Sequence, residues 1–99
     1  MENIRKEASG VLAGFRKLTN SIDEYSPIEL KYKELILIGI MTANKSIRGV
    51  GTHTKICLEA GGTKEEIISA VLYAIPIVGI TSVTLALEQA LSVIESNKE

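Results

Sequence analysis

The chain has 99 residues, of which 45% are apolar and 4% aromatic, and its 11 basic and 12 acidic side chains give a net charge of -1. A chain of this length holds one hydrophobic core, so we expect a single domain over residues 1–99. The basic residues form no run and no patch with aromatic residues, which excludes the usual signature of a nucleic-acid partner. A mean hydropathy of +0.21 is high for a small soluble monomer and favours contact with another copy.

Cys57 is the single cysteine, which rules out an internal disulfide and a zinc cluster of several thiolates. The stretch MENIRKEASG carries charges where an export signal needs an apolar segment, so we expect a cytoplasmic protein. Residues 67–87 contain no charge and are long enough to cross a bilayer. Pro76 and Gly79 interrupt this run, which favours two buried helices that meet at the proline over a membrane span.

Apolar residues recur every three or four positions and no stretch alternates with period two, so the sequence predicts an all-α fold. The first amphipathic helix is expected over residues 3–22. A second helix is expected to start at Ser26 and Pro27, with Glu29 completing a capping box. From residue 35 to residue 41 this helix is apolar on every side, as in helices that are buried all round or sandwiched between subunits.

Three more helices are predicted in the second half of the chain. The preceding helix is expected to break near Asn44. The first of the three then covers residues 47–60, and the two glycines that follow end it. The next covers residues 63–74, opens with a capping box of Thr63 and Glu66, and is ended by Pro76. The last covers residues 78–96.

The stretch SIRGVGTH, residues 46–53, has more than one interpretation. Its glycines match half of a phosphate-binding fingerprint, but no strand precedes them and the P-loop lysine is absent. Within a helix, each glycine costs about 1 kcal/mol relative to alanine, which indicates that a neighbouring helix or a ligand packs close to the backbone.

A third interpretation is a site that includes a more distant carboxylate. Glu34 lies ten residues before Asn44 and His53 nine residues after it. In an antiparallel helix pair with a rise of about 1.5 Å per residue, both lie roughly 14 Å from the turn and therefore side by side. Ser46 and Gly49 share a helix face with His53, so the pattern predicts a carboxylate and an imidazole beside two small residues.

The order E-x11-S-x2-G-x3-H, followed by TKICLEAGGTKEEI, resembles the carboxymuconolactone decarboxylase and alkylhydroperoxidase D superfamily over about residues 27–90. Its peroxidase members carry Glu, then Cys-x2-Cys-x3-His, then A-x2-A-G-x-[ST]-x-E-E-I. The resemblance implies a small all-helical domain of antiparallel helical hairpins, assembled into a homo-oligomer, commonly a trimer or hexamer, with its site near a subunit interface. It also implies that neither a metal nor an organic cofactor is required.

At the two cysteine positions this chain has Ser46 and Gly49, so the two-thiol peroxidase mechanism cannot operate. The decarboxylases of the family also lack the pair, and VLYAIP at residues 71–76 resembles their V-Y-A-G-V-P, with isoleucine in place of the glycine. The resemblance thus implies a lyase on a small carboxylated lactone or related anion. His53 is then the general acid, and Glu34 orients its ring and holds it protonated.

This hypothesis predicts a substrate pocket bounded by residues 34, 46, 49 and 53, with basic groups converging on it. Ser46, Gly49 and Arg48 are its candidate substrate-binding residues, Arg48 through a bidentate contact with a carboxylate. Arg48 lies about 140° around the helix from His53, so it reaches a site only from a neighbouring subunit. Tyr73 is either a hydroxyl donor or a core residue.

Other functions remain open at the level of the sequence. A Glu34–His53 pair also suits a non-catalytic oligomeric binding or interaction protein, in which it satisfies two buried polar groups and fixes helix register. Family descent also allows a peroxidase-like activity that uses Cys57 and an external thiol. A buried structural role is the more common one for a free cysteine.

Overall fold

The computed structural model describes residues 1–98, and within this range the chain forms seven α-helices and no strand. The all-α prediction is therefore confirmed. The helices are α1 (Glu2–Glu7), α2 (Ser9–Tyr25), α3 (Leu30–Ala43), α4 (Ile47–Glu59), α5 (Lys64–Leu72), α6 (Ile75–Val78) and α7 (Ile80–Asn97).

Helices α3, α4, α5 and α7 pack around one core of aliphatic side chains. α3 and α4 form an antiparallel hairpin, α5 packs against α3, and α7 packs against both α4 and α5. Every one of these helices contributes side chains that are almost completely buried, as expected for helices with apolar residues three and four positions apart. The buried core consists of Ile38, Val50, Cys57, Ile67, Val71, Ala74, Val83, Ala86, Ala90 and Ile94.

The ends of α4 and α5 follow the local signals in the sequence. Gly61 has φ +93°, and its N–H and that of Gly62 donate to the carbonyls of residues 58 and 57, which is a Schellman motif. The capping box at the start of α5 is confirmed. The Thr63 hydroxyl accepts from the Glu66 N–H at 3.1 Å, and the Glu66 carboxylate accepts from the Thr63 N–H at 2.9 Å.

Three predicted boundaries are wrong. The helix expected over residues 3–22 is two helices, because Ala8 adopts φ -149° and ψ 61° between them. The capping box at Ser26 is absent, since the Ser26 hydroxyl accepts from the N–H of Ile28 and α3 begins only at Leu30. The helix expected over residues 63–74 ends at Leu72, and the proline expected to end it lies instead at the start of the short helix α6.

The uncharged run at residues 67–87 is divided among α5, α6 and α7, with Gly79 at φ +92° separating the last two. Among the described helices, none has both the length and the apolar character that crossing a bilayer requires. Helices α1 and α2 stand apart from the core, because α2 packs chiefly against α1 and buries only Leu12. The radius of gyration is accordingly 14.5 Å, compared with about 13 Å for a compact chain of 100 residues.

Candidate functional site

A tight turn sets the register between α3 and α4. Asn44 ends α3, and Lys45 has φ +60°, a left-handed conformation that reverses the chain. The Ser46 N–H donates to the Met41 carbonyl at 2.8 Å. Ser46 is the N-cap residue of α4, as predicted, but its hydroxyl accepts from the Asn44 side-chain amide at 3.0 Å and makes no capping hydrogen bond.

This register brings Glu34 on α3 against His53 on α4. Nδ1 of His53 lies 2.6 Å from Oε1 of Glu34, and the side chains are 21% and 3% exposed respectively. An ionised carboxylate only accepts hydrogen bonds, so Nδ1 carries the proton and Nε2 is the nitrogen that faces away from the pair. The side-by-side placement expected from the spacing about Asn44 is present.

The arrangement provides one proton-transfer group held by a fixed carboxylate. A carboxylate on Nδ1 sets the tautomer and the ring orientation of a histidine, and it stabilises the imidazolium ion. Nε2 is then the atom at which a proton can be given or taken. Across the described part of the chain, His, Cys, Asp and Glu side chains form no group of three or more that could hold a metal ion.

Gly49 and Ser46 do not open onto a substrate pocket in the way that the sequence predicts. A Cβ on Gly49 would lie 2.6 Å from Sδ of Met41, so the methionine thioether covers the place where a cysteine side chain would begin. Ser46 precedes His53 by seven residues, or about 10 Å along α4. The two best-formed surface pockets of the described chain lie between α3 and α5 and along α1 and α2, and neither is lined by residues 34, 46, 49 or 53.

Arg48 and Tyr73 also lie away from the Glu34–His53 pair. Arg48 is exposed on α4. Tyr73 follows α5, is 80% exposed and lines the pocket between α3 and α5, so the core alternative for this residue is wrong. Of the residues singled out from the sequence, the structure therefore joins only the glutamate and the histidine.

Cys57 lies one helical turn beyond the imidazole and is fully buried. Its thiol points at the Lys31 carbonyl oxygen, 3.8 Å away, and Gly62 packs so closely over the sulfur that a Cβ there would collide with it. Burial raises the pKa of the thiol, and the nearby carboxylates of Glu34 and Glu66 raise it further. A buried thiol with a raised pKa is a poor nucleophile, which argues against the peroxidase alternative.

Lys31 and Glu66 form an ion pair near the site that sequence reasoning did not single out. Their Nζ and Oε2 atoms are 3.2 Å apart. The hydrogen bond from the Thr63 backbone and then the contact with Lys31 lower the pKa of Glu66, and the same contact raises the pKa of Lys31. Lys31 precedes Glu34 by three residues, and this spacing puts both on one face of α3. The sequence alone therefore contained the signal that Lys31 lies near the site.

Comparison with protein families gives a match over most of the chain. The model of the carboxymuconolactone decarboxylase family matches residues 10–92, which include the complete α3–α4 hairpin. No curated protein and no solved structure matches the chain.

Proposed function

Because the chain belongs to the carboxymuconolactone decarboxylase family, we propose that it is a cofactor-independent lyase acting on a small carboxylated lactone or a related anion. His53 is the group that transfers the proton, and Glu34 is its positioning residue. The observation that carries this proposal is the 2.6 Å contact between the imidazole and a carboxylate that is 3% exposed. Such a carboxylate fixes the ring and leaves Nε2 available to a substrate.

The chemistry requires one proton at the carbon that loses carbon dioxide. The bond between that carbon and the carboxylate breaks, carbon dioxide leaves, and the electron pair stays on the carbon in conjugation with the lactone. Doubly protonated His53 gives its Nε2 proton to this carbon and becomes neutral. Glu34 holds the imidazolium through Nδ1–H until that transfer, and water restores the Nε2 proton after the product leaves.

An anionic substrate also needs cations and a closed cavity. Lys31 lies one turn from Glu34 on the same face of α3, which makes its ammonium group a candidate partner for a substrate carboxylate in competition with Glu66. Since neither surface pocket is lined by His53, we propose that a neighbouring subunit of a homo-oligomer, a trimer or hexamer, closes the site. Arg48 can take part only from such a neighbour, because it is exposed on another side of α4.

The position of the two best-formed pockets, away from His53, also supports a second candidate function. In a non-catalytic oligomeric binding or interaction protein, Glu34 and His53 satisfy each other and fix the register of α3 against α4. No cavity beside the imidazole is needed in that case. The two candidates differ in whether Nε2 meets a substrate.

The test follows the ultraviolet absorbance of carboxymuconolactone with the wild-type chain, His53→Gln and Thr52→Ala. His53→Gln keeps a hydrogen-bond donor toward Glu34 but cannot transfer a proton, so turnover should fall by about 10²- to 10⁴-fold. Thr52→Ala is the matched control, because Thr52 is exposed on α4 and bonds only its own helix at the Arg48 carbonyl. Light scattering establishes that all three have the same oligomeric state.

Equal turnover in wild type and His53→Gln would contradict the assigned role of the histidine. Absence of turnover with the wild type would remove this substrate and favour the binding candidate.

The positioning role of Glu34 has its own readout in the separate effects on kcat and KM. Glu34→Gln keeps an oxygen that can accept from Nδ1 but removes the negative charge beside the imidazole, so kcat should fall while KM stays near its wild-type value. An unchanged kcat in Glu34→Gln would leave Glu34 with a structural role only.

A further inference from the structure

From residue 35 to residue 41 helix α3 is apolar on every side, yet only part of this segment is covered. Ile36 is 50% exposed and Ile40 is 55% exposed, on the side of α3 away from Glu34. This side, together with α5 and α6, borders an open apolar cavity of about 700 Å³, which we call the α3–α5 groove. Tyr73 and Ile77, each about four-fifths exposed, form its other wall. A large exposed apolar surface of this kind marks a site of contact with another molecule.

A second uncovered apolar surface lies on α2. Four large side chains follow one another at i, i+4, i+7 and i+11, within about 60° of the helix circumference and over about 16 Å of its length. Each is at least 48% exposed. We call this set the α2 stripe, and it consists of Val11, Phe15, Leu18 and Ile22.

The α2 stripe does not reach the α3–α5 groove of its own chain. Residues 26–29 are the whole connection between α2 and α3. An ion pair of 3.0 Å between Asp23 and Lys33 holds the end of α2 at the first turn of α3, whereas the groove begins further along that helix. Both surfaces therefore remain uncovered in a single chain.

The exposed area of the chain matches the needs of a dimer contact. The accessible surface is 6896 Å². A monomer of 10.7 kDa exposes about 5,500 Å², so the excess is about 1,400 Å². A stable interface of standard size buries about 800 Å² on each partner. A contact between the α2 stripe of one copy and the α3–α5 groove of another would bury about 800 Å² on each copy, which is less than this excess.

The charges at the groove argue against a second groove as its occupant. Glu65 and Glu66 line one end of the α3–α5 groove. Groove against groove would therefore bring like charges together, whereas the four side chains of the α2 stripe carry no charge.

We propose that the α2 stripe of one copy docks in the α3–α5 groove of a second copy of this chain. The contact is an amphipathic helix in an apolar groove. It completes the burial of α3, whose opposite face carries Glu34. The proposal concerns how copies assemble and does not depend on the lyase reaction.

Disulfide cross-linking tests the contact directly. Leu18→Cys and Ile40→Cys are made in separate chains, one carrying a tag that changes its mass, and the mixture is oxidised with diamide. Two cysteines bridge only where their Cα atoms approach within about 7 Å, so we expect the mixed disulfide between residues 18 and 40. Ala13→Cys is the control, because it is exposed on the side of α2 opposite the stripe and should give no mixed disulfide. The native thiol is buried and does not compete.

The proposal would be overturned if no mixed disulfide forms under these conditions. It would also be overturned if two Ile40→Cys chains form a homodisulfide, which would indicate another packing.

Sedimentation supplies an independent measurement. Leu18→Glu and Ile40→Glu should each weaken self-association at least about tenfold, because each puts a charge into an apolar contact. Ala13→Glu should leave it unchanged. Both targets are at least half exposed in a single chain, so the variants retain the fold, which circular dichroism checks.

A wild-type chain that sediments as a monomer at every concentration would overturn the proposal. So would a monomer whose groove takes up a small apolar ligand, or an oligomer that is insensitive to Leu18→Glu.

Discussion

Removal of the His53 side chain should destabilise the protein strongly, whichever function the pair has. His53→Ala leaves the Glu34 carboxylate, 3% exposed, without its partner at 2.6 Å. Loss of one member of a buried ion pair costs about 3–5 kcal/mol. The imidazole is 21% exposed, so water can partly replace it, and we expect about 3 kcal/mol. A domain of this size has about 5–15 kcal/mol in total, so the loss is a large fraction of its stability.

Urea denaturation at neutral pH measures this loss, and thermal unfolding should show a fall in Tm of about 12–24 °C. His53→Gln is the matched variant, because its amide still donates to Glu34, and it should cost clearly less than His53→Ala. Replacing both members by leucine removes the unpaired charge and should recover much of the stability lost in the single variant. A loss below about 1 kcal/mol in His53→Ala, or a double variant less stable than the single, would refute this account of the pair.

Three further outcomes follow from the surroundings of the site. Cys57, with its raised pKa and full burial, should resist iodoacetamide in the native protein at neutral pH and react fully in guanidinium chloride; rapid native alkylation would contradict its placement. Thr63→Ala should lower the free energy of unfolding by about 1 kcal/mol, whereas Thr84→Ala, at an exposed position inside α7, should change it by less than about 0.5 kcal/mol; equal losses would argue against the capping box.

The lowered pKa of Glu66 stabilises the fold above the ordinary glutamate pKa, and this contribution disappears as the pH falls through the lowered value. Urea midpoints from about pH 6 to about pH 3 should therefore fall less in Glu66→Gln than in the wild type, and parallel curves would refute the assignment.

Much of the α3–α4 hairpin was predictable because its determinants are local. A break at Asn44 and a fixed rise per residue are enough to place Glu34 beside His53, and the structure has them in contact. The glycines after α4 and the Thr63–Glu66 capping box act within one turn of helix, so their effects also follow from the sequence. The start of α3 was missed because a serine hydroxyl can bond its own loop as well as cap a helix.

The surroundings of the pair could not be predicted in the same way, because they depend on packing between helices. Met41 covers Gly49 from another helix, and no spacing rule states which side chain will occupy the space above a glycine. The contact of Lys31 with Glu66 joins residues 35 positions apart in the chain. Their juxtaposition depends on how α5 packs against α3, which neither helix determines alone.

The sequence of α3 is explained only when both of its faces are considered. One face carries Glu34 and the buried side chain of Ile38 toward the core, while the opposite face presents half-exposed Ile36 and Ile40 to the groove. A helix with one face in water would be expected to place polar residues there. If a second copy covers that face, the apolar sequence of α3 satisfies two separate contacts. Ile40→Glu should then weaken assembly while leaving the Glu34–His53 contact within each subunit in place.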